Sequence, residues 1–316
     1  MDTITLNNDI YKTASRWNEL TEMQLLRVAE LMQDVTNLNE FLIKLWLEVL
    51  DFKVLKKEEE YIDNELYFYL WKKTTKTTIP CFKPEVAYYY ATTIKDKSYL
   101  ISITDLQFAA SHLRWMFTEK YDGQDKIENT FVLQSRLTKN LIPEFTFDNQ
   151  TYCGPADALT NFVFAEYIFA ETYFTRYNET KDPWWLSMFF AVLYRPSKTE
   201  LEINSNDFDG DKRIHFNAAQ IERIAIQFSN LPIKYKNAAL LFYEGSRNYI
   251  AQKFPLTFKP GEGIGTDVFK AMNKLTIIIQ NETGHDVDKI RATLLYDILG
   301  MLESMEERAA ARKKDK

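Results

Sequence analysis

The sequence predicts a mainly α-helical protein: a multi-helix assembly around a central aromatic helical hairpin, with a small β-hairpin or projecting arm beside it. Three observations carry this. Glycine and proline are scarce, nine of each in 316 residues, while apolar residues reach 46%, as in helix-rich globular chains rather than disordered or collagen-like ones. Apolar residues recur at steps of three and four through most of the second half. The stretch Gly154 to Pro196, GPADALTNFVFAEYIFAETYFTRYNETKDPWWLSMFFAVLYRP, is more apolar and aromatic than any other.

Taken in order, residues 1–18 read as an irregular lead-in. Thr21 is placed as the N-cap of a first helix, with Gln24 completing a capping box. Leu25, Val28, Ala29 and Met32 form its buried stripe. Asn37 or Asn39 opens a second helix carrying Phe41, Leu42, Leu45, Trp46, Val49 and Leu50, so the two make a helical hairpin. Residues 52–60 (FKVLKKEEE) read as a solvated charged segment, Glu65 to Trp71 as a further helix, and 74–84, with TTKTT and two prolines, as a linker. VAYYYATT and YLISI stay open between strand and helix. In TDLQFAASHLRWMF, Leu106, Ala109, Leu113 and Phe117 have helical spacing. Thr130–Leu133 and Phe145–Tyr152 have strand composition and are expected to pair as a hairpin or to project as an arm.

In the aromatic stretch, Leu159, Val163, Tyr167, Ala170, Phe174 and Tyr177 share one face, and Phe162, Phe169 and Tyr173 widen it. A helix apolar on nearly every side belongs inside a fold or against a partner. Asp182 caps the second helix of the hairpin, with Pro183 in its first turn, where a missing N–H costs nothing. Arg195-Pro196 ends it, because proline disfavours helix in the residue before it. Residues 197–216 form a long polar excursion, a length that marks functional or partner loops. Asn217 caps the next helix, and Pro232 to Phe254 form another. A Gly/Pro loop runs from Phe258 to Gly265, and Thr266 starts a helix that Gly284 closes. Asp286 is expected to cap one final long helix, with Ile290, Leu294, Ile298, Met301 and Met305 as its seam. The resulting division is 1–75, 76–153 and 154–316.

Composition bounds the function. A net charge of -6 lacks the basic footprint of a nucleic-acid binder. No run of about 18 apolar residues exists to span a membrane, and MDTITLNNDIYKT has neither the basic nor the apolar region of a signal peptide. Cys81 and Cys153 lie far apart without a CxxC companion, so reduced thiols in a cytoplasm are expected rather than a disulfide framework or a zinc site.

Several residue patterns invite a chemical reading, and each has a simpler account. Glu166 and Glu171 on an aromatic helix suggest a di-iron bundle, which needs Glu-x-x-His on two helices. The sequence has one such pair, Glu282 to His285, and it straddles Gly284. Pairing of the carboxylates with Arg176, Arg195 or Arg247 is the better account, with Glu244 joining the same group. Asp207, Asp209 and Asp211 look like a calcium loop, but the spacing puts Gly210 at position four and Ala218 at position twelve, which misses the EF-hand pattern. They are expected to form an acidic turn in a partner loop. The run from Lys259 to Thr266 lacks the lysine of a phosphate loop. No catalytic residue, cofactor or metal is therefore expected.

The segments YCGPADAL, FAEYIFAETYFTRY, FFAVLYRP, FDGDKRIHFN and LPIKYKNAALLFYEGSRNYI, between Ile142 and Asn248, resemble uncharacterised proteins encoded beside the tail genes of Bacteroidota phages and prophages. The resemblance carries no site residues and does not extend over 52–130. It implies a non-enzymatic role in virion morphogenesis, as a tail-assembly chaperone or a structural subunit near the tail or neck. The partners would be tape-measure or tail and neck components, met in the host cytoplasm or in the virion, and self-association is compatible with the C-terminal seam. Two other readings stand beside it. One is an enzyme with a carboxylate/arginine pocket between helices 158–178 and 232–254, lined by Glu166, Glu171, Arg195, Glu244 and Arg247. The other is a host-side scaffold.

Overall fold

The computed structural model describes residues 2–6, 9–32, 38–49, 53–61, 86–94, 97–102, 109–120, 130–258 and 268–314. The chain is mainly helical and divides into two compact units, Met1–Leu133 and Gln134–Lys316. Residues 130–133 and 145–152, expected to pair with each other, fall in different units. The helix expected over 65–71 and the linker over 74–84 lie outside the described residues, as do Cys81 and the loop from Lys259 to Gly265.

In the first unit, β1 (Asp2–Leu6) pairs antiparallel with β2 (Asp9–Thr13), Leu6 facing Asp9. The expected irregular lead-in is thus a hairpin, as the β-branched Thr3, Ile4 and Thr5 favour. A short 3-10 turn, Trp17–Glu19, follows. Its Glu19 carboxylate accepts hydrogen bonds from the Ser15 N–H and hydroxyl and from Arg16 Nε, and the Ser15 backbone bond leads the causes that hold it at about 2.

Helix α1 (Glu22–Leu31) opens on the expected box: Thr21 Oγ1 accepts from the Gln24 N–H at 3.2 Å, and Gln24 Oε1 accepts from the Thr21 N–H at 2.9 Å. Helix α2 (Leu38–Val49) packs against it, burying Phe41, Leu42, Leu45 and Trp46. The expected N-terminal helical hairpin is present.

The charged run after α2 is strand β3 (Lys53–Tyr61), paired antiparallel with β4 (Val86–Ile94), which pairs in turn with β5 (Lys97–Ser102). In the order β3-β4-β5 the Lys/Glu-rich strand is an edge. Charged side chains are suited to an edge because they discourage pairing with another chain. The central β4, VAYYYATTI, carries the β-branched and aromatic residues that sheets favour. Of the helix expected through TDLQFAASHLRWMF, Ser111–Met116 is a 3-10 segment and Phe117 already starts β6 (Phe117–Lys120). Here tertiary contacts override helical spacing: Trp115 meets Trp17 edge-on at 5.7 Å, and Phe117 meets Phe41 at 5.9 Å. β6 takes β7 (Thr130–Leu133) as its partner.

The second unit begins with its own hairpin, β8 (Glu144–Phe147) and β9 (Gln150–Cys153). Between them Asp148 and Asn149 both have positive φ, 48° and 58°, the conformation of a two-residue type I′ turn. This turn is what divides the 145–152 run. The hairpin does not project as an arm. Phe145 packs on Tyr152, Phe190, Tyr194, Phe228 and Tyr235 with ring centroids 5.4–6.2 Å away. At Gly154 a Cβ would stand 2.6 Å from the Tyr194 ring, so glycine is required where the strand leaves the hairpin. The short β10 (Arg195–Pro196) adds to β9.

Helix α3 (Phe164–Thr180) and α4 (Pro183–Leu193) pack together, joined through Lys181 in the left-handed conformation. Asp182 Oδ1 accepts from the Trp184 N–H at 2.9 Å, and Pro183 stands at the first position, both as expected. Leu159 falls in a separate 3-10 turn, Asp157–Leu159, rather than on α3. After the four-residue helix α5 (Glu200–Ile203), Asn217 caps a 3-10 turn that runs into α6 (Ile221–Gln227). Helix α7 (Ile233–Lys253) places Tyr243 against Phe174 and Phe189 at 5.4 and 5.0 Å. Its Tyr249 is 43% exposed.

Helix α8 (Val268–Thr283) ends at Gly284, whose φ is +70°. The expected single long helix after Asp286 is two: α9 (Val287–Ala292) and α10 (Leu295–Lys314). Thr293 O accepts from the Phe164 N–H, and the Leu295 N–H donates to Phe162 O, both at 2.8 Å. That strand-like exchange with the start of α3 extends the chain and breaks the helix. Of the expected seam, Ile290 and Ile298 are buried but Leu294 is 44% exposed, and Leu295, Leu299 and Leu302 are buried beside Ile298. Among the described residues no helix is long and apolar enough to cross a membrane.

Candidate functional site

The two glutamates of α3 are both about 1% exposed, and each has its own set of partners. Glu166 sits in the first turn, where its carboxylate accepts from the Val163 N–H at 3.1 Å. It pairs with Arg195 through Nη1 and with Arg213 Nη2 at 3.4 Å. Arg195 also donates its Nε–H to Ile214 O at 2.9 Å. Asp211 accepts from Arg213 Nε at 2.9 Å and from its Nη2 at 2.7 Å, and Arg213 Nη2 also donates to Asn161 O at 3.2 Å. Two guanidiniums therefore face two carboxylates, a balanced set that offsets the large cost of burying charge. Burial, then the neighbouring Arg213, pushes the Arg195 guanidinium down. Burial works against Arg213 as well, but Glu166 and Asp211 together outweigh it and raise that group.

Glu171 ties α3 to α7. It accepts from Arg247 Nε at 2.8 and 3.1 Å and from the Tyr243 hydroxyl at 2.9 Å. Glu171 is the leading cause that raises Arg247, whose guanidinium carbon lies 5.9 Å from the Phe174 ring. Glu244 is half-buried, and burial pushes its carboxyl up against the opposing pull of Arg247. Arg176 takes another role: its guanidinium sits 4.7 Å over the Trp185 ring, which stacks on Tyr173.

The structure thus brings Arg195 to Glu166 and Arg247 to Glu171, but it does not gather Glu166, Glu171, Arg195, Glu244 and Arg247 into one pocket. The facing side of α3, α4 and α7 is filled by Phe174, Phe189 and Tyr243. Sequence reasoning missed Arg213, which lies in a run, DGDKR, that reads as solvated charge. It also missed Lys236, 4% exposed, whose Nζ donates to Ser187 Oγ at 3.0 Å and whose amine burial pushes down.

The acidic turn behaves as three separate residues. Asp207 is exposed, Asp209 pairs with Lys198 at 2.7 Å, and Asp211 turns inward to Arg213. The Lys198 hydrogen bond leads the causes that hold Asp209 below the usual range. No group of three or more potential metal ligands occurs among the described residues. Beside this turn an open cleft of about 760 Å³ lies between α3 and α9, bordered by Phe169, Lys198, Glu202, His215, Phe216 and Arg291. Three of its charged groups are already engaged: Lys198 by Asp209, Glu202 as the cap partner of Thr199, and Arg291 by Asn273.

Tyrosine chemistry gives the Glu171 cluster a testable pH signature. Burial first, then Glu171, raises the Tyr167 and Tyr243 phenols well above their ordinary value. The unfolded phenols ionise near pH 10, so the folded state keeps protons that the unfolded state loses. Their contribution is full below about pH 10 and declines as pH climbs toward the raised folded values. Tyr243→Phe should cost about 1.5–3 kcal/mol at neutral pH, because a buried carboxylate loses a donor. Among the described residues Tyr167 has no hydrogen-bond partner for its buried hydroxyl, so Tyr167→Phe should be neutral or stabilising. Urea midpoints at neutral pH and near pH 10.5 measure both. Equal losses from the two substitutions would refute this assignment.

Both buried carboxylates thus tie α3 to other elements, Glu166 to the 195–213 segment and Glu171 to α7. Comparison with protein families, curated proteins and solved structures finds no match to this chain.

Proposed function

We propose that this chain is a non-enzymatic assembly protein of phage or prophage tails, either a tail-assembly chaperone or a structural subunit near the tail or neck. It works through protein–protein contacts in the host cytoplasm or the virion, without nucleic acid or membrane. The aromatic hairpin α3–α4 is the organising element of the fold in this reading. The observation that carries the non-enzymatic part is the pairing of Glu166 and Glu171 with arginines that hold α3 to its neighbours. Exposed apolar side chains on α8, Phe269, Ile277 and Ile278 at 39–53%, supply surface of the kind that meets partners. The assignment to tails rests on the resemblance carried by YCGPADAL, FAEYIFAETYFTRY and FFAVLYRP.

Co-expression with the tape-measure protein of the same gene cluster is expected to raise that protein's solubility or to yield a co-purifying complex. The subunit version predicts stoichiometric copies in purified particles, counted by mass spectrometry. A protein with no effect on the tape-measure protein and no presence in particles would end the tail reading.

A further inference from the structure

Helix α10 carries more helix than its own unit covers. Leu302 is its last buried residue, and from Glu303 to Arg312 none is buried, about 15 Å of helix at 1.5 Å per residue. Its root is fixed: the Glu303 carboxylate accepts from the Leu256 and Thr257 N–H groups at 2.9 and 2.8 Å. Along its outer side, Asp297, Gly300, Met301, Ser304, Met305 and Arg308 line a groove of about 470 Å³, closed on the far side by Glu282 and Thr283 at the end of α8. The steps of three and four along this stripe are those of a helix-pairing seam.

Gly300 stands out within it. A glycine inside a helix weakens it relative to alanine, and here nothing among the described residues lies within 4 Å of where a Cβ would be. Intramolecular packing gives no reason for the glycine, whereas close approach of another helix does. Asp297 and Arg308 are both exposed, and neither is in a salt bridge among the described residues.

We propose that this stripe is an isologous dimer interface, occupied by α10 of a second copy running antiparallel. A two-fold axis between Leu302 and Glu303 sets Asp297 opposite Arg308 of the partner subunit. It sets Gly300 opposite the partner's Met305, and Met301 opposite the partner's Ser304. Every pair then joins opposite charges or a large residue to a small one, and the two-fold repeats each pair. Methionine adapts to such a groove because its thioether chain is flexible and polarizable. The projecting end of α10 becomes covered by the partner's first turns. This interface is independent of any role in tails.

Sedimentation equilibrium of the full chain, over roughly a hundredfold range of concentration, tests it. The wild-type chain is expected to dimerise. Asp297→Arg or Arg308→Asp alone should raise the dissociation constant at least about tenfold, since like charges then face each other. The double reversal D297R/R308D should restore it to within about threefold, because the ion pair re-forms in the antiparallel register. Within one helix these positions are too far apart to rescue each other. Gly300→Leu should also give monomers while leaving the far-ultraviolet circular dichroism unchanged, given the open space at its Cβ. A wild-type chain that stays monomeric overturns the proposal. So does a dimer indifferent to the single reversals or to Gly300→Leu, or a double reversal that fails to restore association.

Discussion

Glu166→Ala is expected to destabilise the second unit by about 3–5 kcal/mol, the usual cost of removing one partner from a buried charge set. Three donors lose their acceptor together: the Val163 N–H at the start of α3, Arg195 and Arg213. The guanidiniums cannot shed their charge, since arginine stays protonated throughout the range in which proteins fold. Asp211 alone would then face both cations, one at 2.7 Å and the other at 3.9 Å. Glu166→Gln tests the charge separately from the shape, and it should recover only part of the loss, because one amide oxygen cannot serve three donors. A second change, Arg213→Met, should be milder in the Glu166→Ala background than in the wild type, since the uncompensated charge leaves with it. Hydrogen exchange of the α3 amides follows the second unit without assuming that both units unfold together. A loss below about 1 kcal/mol would mean that the carboxylate site admits water and behaves as a surface pair.

What could be read from the sequence depended on how far each signal travels along the chain. The Thr21–Gln24 box, the Asp182–Pro183 start and the Asn217 cap are bonds between residues two or three apart, so residue identity alone located them. The buried faces of α1 and α2 followed from spacing for the same reason. Strand pairing is different, because its partners are distant. LKKEEE reads as solvated until VAYYYATTI is known to lie beside it, and then the same charges mark a protected edge. The break at Thr293 has no local cause either. It comes from hydrogen bonds to Phe162 and Phe164, far upstream. At the candidate site, the glutamates and two of their arginines were legible because charges on an apolar helix must find counter-charges. Arg213 was not, because nothing in FDGDKRIHF distinguishes the one cation that turns inward from its solvated neighbours. Its signal was stoichiometric: the polar loop holds three aspartates, and one of them, Asp211, was available to anchor an arginine against α3.

Gly245→Ala should destabilise the fold, by about 1–3 kcal/mol or more, although the same change in an exposed helix normally stabilises it. Gly245 lies in the middle of α7, where alanine would gain roughly 0.5–1 kcal/mol from backbone entropy alone. Against that gain stands geometry. A Cβ there would meet the Leu137 backbone nitrogen and oxygen at 2.3 Å and its carbonyl carbon at 2.7 Å. These are main-chain atoms, so no side-chain rotation relieves the overlap. The Leu137 segment is itself held in place: Leu137 N–H donates to Ser135 Oγ, Asn140 bridges to Pro155 O and Asp157, and the Asn248 amide reaches Ser135 O. Either α7 or the 135–140 segment must therefore move, and α7 is tied through Tyr243 and Arg247 to Glu171. Strain at position 245 should consequently appear as faster exchange of amides in both α3 and 135–140, not in α7 alone. Gly300→Ala provides the internal control, because nothing lies within 4 Å of its Cβ. Measured where the chain is monomeric, that substitution should show the ordinary gain of helix propensity. Two mid-helix glycines in one chain should therefore respond to the same added methyl with opposite signs, and urea midpoints of the two variants decide it. Equal responses would mean that the backbone of residues 135–140 yields to α7 without cost.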